Sequence, residues 1–180
     1  MSVSEAFASK DNWNYTRSWL AELSPYYQTG IKISYPFTDR WSGQFHVVNG
    51  WQIIGENNSA KTFGTQVAYA SDKLSASLNT LAGPELPGND DDWRVFGDFV
   101  LTVRPTPAWS VGANVDVARE SRPAGPSASW WGAAAYVRIA PEGSRYAVRI
   151  PRRALRRPRR RDLRNRPRTD GRNVDVRVSA

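Results

Sequence analysis

From residue 27 to residue 35 apolar and polar positions alternate: Tyr27, Thr29, Ile31, Ile33 and Tyr35 fall on one side, Gln28, Gly30, Lys32 and Ser34 on the other. A period of two is that of a β-strand, whose successive side chains point to opposite faces. Pro36-Phe37-Thr38-Asp39-Arg40 then predicts a tight reversal, with Pro36 fixing φ and Asp39 able to bond its own backbone. The alternation resumes with Trp41, Gly43, Phe45, Val47 and Trp51 against Ser42, Gln44, His46, Val48 and Gln52. Each arm has about the 9 to 11 residues that a tilted strand needs to cross a bilayer.

The hairpin recurs. Strands are predicted at 62–69 and 74–81, at 95–103 and 109–117, and at 131–139 and 146–150, with short turns at 70–73, 104–108 and 141–144. The longer connections, 53–61, 82–94 and 118–129, are rich in Gly, Pro, Asn, Asp and Ser. Short turns on one rim and long loops on the other is the arrangement of outer-membrane barrels. The pattern therefore predicts an all-β chain, an antiparallel up-and-down meander of about eight strands from a transmembrane barrel. Residues 1–26 read as a loop or partial strand, 27–150 as the hairpin repeats, and 151–180 as a separate Arg-rich tail.

Aromatic residues mark both ends of the apolar rows. Tyr35, Trp41, Tyr69, Trp109 and Tyr146 flank the short turns, while Tyr27, Trp51, Trp93, Trp130 and Trp131 flank the long loops. Rings with an apolar body and a polar tip favour a membrane–water interface, so these ten are predicted to form two girdles. If the apolar face meets lipid, the polar face lines water. Lys32, Gln44, His46, Gln66, Asn79, Asp98, Asn114, Asp116, Arg138 and Arg149 then project inward. Mixed charge there would set size and charge selectivity by a transverse field. The competing reading of the same residues is a set of paired plugs filling a narrow barrel.

Composition removes several function classes. The chain has no Cys, hence no disulfide framework or thiolate metal site, and no apolar run long enough for a membrane helix. Its one histidine, His46, lacks a nucleophile partner, and no hydrolase, zinc-protease or nucleotide-binding motif is present. The sequence thus predicts no enzyme activity, no cofactor and no metal. Asp90-Asp91-Asp92 lacks the alternate spacing of a calcium loop and reads as a solvated acidic loop.

The net charge of +8 is concentrated at one end: from residue 144 on there are 14 Arg against Asp162, Asp170 and Asp175, a net of +11, whereas residues 1–143 carry a net of −3. Clustered Arg could form a nucleic-acid arm or a disordered charged terminus. The reading that explains most is an out-of-frame translation. A permitted choice of codons for residues 155–162 reads, one base on, as Phe-Asp-Asp-Pro-Asp-Gly-Ala, which suits a strand reaching an outer loop. The predicted partners are accordingly the lipid bilayer of the outer membrane and small hydrophilic solutes, with no nucleic acid; oligomeric state is not fixed by the sequence. The first ten residues have neither a basic nor an apolar signal region, so the sequence reads as a fragment.

The motifs NWNYTRS, PYYQTGIKISYPFTDRWS, VVNGW, NNSAKTFG, GPE, a DWR before a strand and a WWG opening another, in that order, resemble the β-barrel porin family of Gram-negative outer membranes, the porin-2 or OmpL-like group. The resemblance spans about residues 12–149. It implies a transmembrane barrel with further strands that passes small hydrophilic solutes. The reading from a different class is a soluble or surface β-sheet module for binding or adhesion, with Trp93, Trp130 and the triple Asp as loop contacts.

Overall fold

The computed structural model describes residues 20, 24–140, 147–156 and 177–179. Nine strands follow one another: β1 Gly30–Pro36, β2 Trp41–Val48, β3 Thr62–Ala70, β4 Leu74–Pro84, β5 Trp93–Thr106, β6 Trp109–Glu120, β7 Ala128–Ile139, β8 Ala147–Arg156 and β9 Arg177–Ser179. They form one sheet whose order is the chain order, every neighbouring pair antiparallel. This is the all-β up-and-down meander that the alternation predicts. Among the described residues β1 pairs only with β2, and β9 only with β8.

The turns are made locally. In the first, the Thr38 hydroxyl accepts from the amides of Arg40 (3.2 Å) and Trp41 (3.0 Å), the part that the sequence assigned to Asp39. In the second, Ser71 and Leu74 close the reversal, with Ser71 N donating to Leu74 O at 2.7 Å. Thr106 Oγ1 accepts from Trp109 N at 3.2 Å in the third. Tyr146 and the turn predicted at 141–144 lie outside the described residues.

Strands extend further toward the long loops than hydropathy predicts. β4 continues to Pro84, β5 starts at Trp93, β6 runs to Glu120 and β7 starts at Ala128. The ladder needs no alternation of hydropathy, only backbone partners. At this end Arg94 and Glu120 are paired in register and joined by an ion pair, so two charges fit inside the sheet without breaking it. Gly83 is required for the same extension: a Cβ there would lie 2.3 Å from Thr62 Oγ1 and 2.6 Å from Thr62 Cα. β8 likewise crosses the boundary drawn at 150, keeping register with β7 from Ile139↔Val148 to Trp131↔Arg156. Pro151 sits where β8 has one described neighbour, the place in a sheet where a residue without an N–H is tolerated.

Side chains obey the period of two, with the usual sense reversed. Ile31 (70% exposed), Phe45, Val67, Leu78, Val95, Phe99, Val115 and Val117 are exposed on the outward face. Asp98, Thr102, Ser110, Asn114 and Asp116 are buried on the inward one.

Candidate functional site

Register lines the inward residues up in rows across the sheet. One row runs Ser34, Gln44, Gln66, Asn79, Asp98, Asp116, Gly132, each the direct partner of the next on the neighbouring strand. Opposed residues in a ladder are close enough for their side chains to interact, and here they do. Gln66 Nε2 donates to Asn79 Oδ1 at 2.6 Å, and Asn79 Nδ2 donates to Asp98 Oδ2 at 2.8 Å. From the next row toward the short turns, Asn114 Nδ2 donates to Asp98 Oδ1 at 2.5 Å and to Asp116 Oδ1 at 3.0 Å. A single amide thus sits between two carboxylates on adjacent strands. Two buried carboxyl groups side by side need hydrogen-bond partners, and Asn114 with Asn79 supplies donors to them.

A cavity of about 670 Å³ lies against this row. Its lining includes Lys32, Gln44, His46, Gln66, Asn79, Asp98, Asn114 and Asp116, so eight of the ten residues predicted to project inward come together around one space. His46 Nε2 lies 3.2 Å from Gln44 Oε1. Arg138 stays outside this group: it occupies the inward row at the turn end of β7, in register with Ser110. Arg149 is placed by register alone, between Arg138 and Arg177. The segment before β1 also enters the interior, where Leu20, 2% exposed, packs with Ala134 and Tyr136 of β7.

The next inward row toward the long loops has a different character. His46, Gly64, Leu81, Phe96, Ala118 and Trp130 succeed one another across the strands. Val48, Leu81, Phe96 and Ala118 form a buried apolar cluster, with Trp51 and Trp130 packed against it. Two girdle assignments are corrected here, because Trp51 and Trp130 face the interior. In a strand adjacent residues point to opposite faces, so Trp130 and Trp131 could not both face lipid, and Trp131 is the outward one, 40% exposed. Trp51 follows the end of β2, where the alternation no longer governs direction.

Of the other girdle residues, Tyr35, Trp41, Tyr69, Trp93, Trp109 and Trp131 lie on outward rows, Tyr27 does not, and Tyr146 lies outside the described residues. Trp41 and Tyr69 are in edge-to-face contact, centroids 5.0 Å apart, and Tyr35 lies 5.6 Å from Phe37. Trp109 at the turn end and Trp93 at the loop end are exposed on the outward rows. Tyr27 precedes β1, half exposed, and contributes to the cavity edge. On β6 the outward row runs from Trp109 to Val117, the partner of Trp131. Those eight steps span about 26 Å along a strand, or about 20 Å once tilted, near the ~25 Å apolar band of a transmembrane barrel.

Glu85, quoted in the sequence only as part of the GPE motif, has a structural part that the sequence did not assign. This buried carboxylate accepts from Thr62 Oγ1 at 2.9 Å and from Trp51 N at 2.6 Å, tying the loop 49–61 to the end of β4. Asn58 Nδ2 donates to Pro84 O at 3.0 Å, and Asp90 accepts from Ser59 N at 3.0 Å. Asp92 accepts from Asn89 Nδ2 at 2.8 Å, so two members of the triple Asp hold loop structure. The signal available in the sequence was the adjacency of VVNGW, NNSAK and GPE to strand ends, which now prove to meet in space.

Comparison with the curated proteins and with the solved structures finds no match. The family model described as "Putative beta-barrel porin-2, OmpL-like" matches residues 4–150, and the chain, with its inverted sheet and polar interior, belongs to that family of membrane-embedded barrels.

Proposed function

We propose that the protein is a passive outer-membrane pore for small hydrophilic solutes, working without a chemical step or a cofactor. The observation that carries this reading is the inversion of the sheet: hydrogen-bonded polar side chains converge on a cavity while large apolar side chains stand exposed on the opposite face. An exposed apolar surface of this extent is stable only against lipid or another apolar surface. A polar interior in a barrel is the natural lining of a water path. Lys32, Asp98 and Asp116 put charges of both signs on the cavity wall, and such charges act directly on a permeating ion.

The test is conductance. The folded protein, recognised by slower or faster migration on a gel when unheated, is added to a planar bilayer. Discrete current steps are expected, and Lys32→Glu is expected to shift the reversal potential toward cation preference. Folded barrel without current would overturn the proposal. The adhesion reading is weakened by the inward position of Trp130 and by the loop contacts that engage Asp90 and Asp92.

A further inference from the structure

On its loop side the cavity meets apolar side chains. Leu81 and Phe96 belong to its wall, and Trp51 packs perpendicular to Phe96 with ring centroids 5.0 Å apart. Arg94 lies over the Trp51 ring at 5.1 Å and over the Trp130 ring at 5.8 Å, its charge answered by Glu120. A guanidinium between two indoles fixes the planes of both by cation–π attraction. The result is an aromatic layer on the inward face, packed behind the loop-side wall of the cavity.

Trp51 is the member of this layer that does not come from a strand. It is delivered by the loop 49–61, and the backbone there is shaped for the purpose. Gly50 has φ +143° and Gln52 has φ +59°, a left-handed conformation unusual for a residue with a Cβ. Strain of that kind persists where surrounding contacts over-determine it. Here Glu85 accepts the Trp51 amide at 2.6 Å and Gln52 Oε1 accepts the Tyr26 amide at 2.8 Å. The loop backbone is thereby turned inward and pinned at the Trp51 amide, which sets the indole against Phe96 and Arg94.

We propose that Trp51 sets the size limit for solutes at the loop-side mouth of the passage, and that Glu85 is its positioning residue. This rests on the pore reading above. Removal of the indole opens the layer at the one point not built into a strand. Loss of the Glu85 carboxylate removes the acceptor of the Trp51 amide that carries the indole, and with it the acceptor of Thr62 Oγ1 at the start of β3.

Single-channel recording and swelling of liposomes in sugars of increasing size test the idea on the full chain. Trp51→Ala is expected to raise conductance and to admit larger sugars, whereas Trp51→Phe should stay near the unaltered protein. Glu85→Ala should reproduce the shift of Trp51→Ala, and the double variant should add little to either, because residues acting through one contact are not additive. If Glu85 only stabilised the fold, its variant would give fewer channels of unchanged size, which overturns its positioning role. Unaltered conductance and size limit in Trp51→Ala channels would overturn the whole inference while leaving the pore intact. Absence of current from the unaltered protein would instead remove the pore reading on which it rests.

Discussion

β5 and β6 show the two faces of the sheet most clearly. On one side Val95 and Val117 are each 53% exposed, with Phe99, Val111 and Val115 between them. On the other, Asp116 and Thr102 are each 2% exposed, with Asp98 and Asn114 beside them. A water-soluble sandwich built from the same strands would bury the valines and expose the carboxylates. The sequence pattern is the same in both cases, a strict alternation, and only the surroundings decide which row is covered. What distinguishes the two here is that the polar row is internally satisfied. Asp98, Asn79, Gln66 and Asn114 hydrogen-bond to one another across three strand pairs. The apolar row has no such internal solution and needs an outside partner.

The sharpest way to break the comparison is to put a charge on each face in turn. Phe99→Arg, on the outward row, should destabilise the protein refolded in bilayers by about 2–4 kcal/mol, the cost of a midplane Arg on a lipid-facing strand. Gln66→Arg, on the inward row, should cost far less and alter ion preference instead. Urea titration in lipid vesicles measures both, and equal costs would mean that the faces are not differently solvated. Next in size is Asp98→Ala, which removes the carboxylate shared by the amides of Asn79 and Asn114 while Asn114 keeps Asp116. A loss of about 1–3 kcal/mol is expected from the two hydrogen bonds to a carboxylate. The smallest effect belongs to the girdle: Trp41→Leu forfeits the edge contact with Tyr69, about 0.5–1.5 kcal/mol beyond area. Its clearest readout is a change in Trp fluorescence on transfer from detergent to vesicles.

Much of this was legible in the sequence because alternation is a property of the backbone. Wherever it held, from Gln44 through Asn114, each residue is on the expected face and most of the inward ones share one cavity. Legibility ended where the alternation did. Trp51 lies beyond β2, in a loop whose course depends on a carboxylate 34 residues away, and no local pattern announces that contact. Trp130 is a different case, since its adjacency to Trp131 already required opposite faces. The partnership of Asn114 with two carboxylates needed the register of β5 against β6, which hydropathy does not encode but backbone pairing does. The Arg-rich segment resisted for a further reason. Its composition carries no hydropathy signal, yet β8 enters it, paired in register with β7.

Because sheet order is chain order, each strand takes its register from the strand before it. Because every pairing joins strands adjacent in sequence, the meander can grow hairpin by hairpin. The same arrangement makes assembly intolerant of miscounting. A slip by one residue in a single pairing would turn the next strand over, and every later strand would inherit the reversal, presenting Asp98 or Asn114 to lipid and Phe99 to water. The close fit of Gly83 on Thr62 and the ion pair of Arg94 with Glu120 belong to the observed register, and a slipped hairpin would forfeit both.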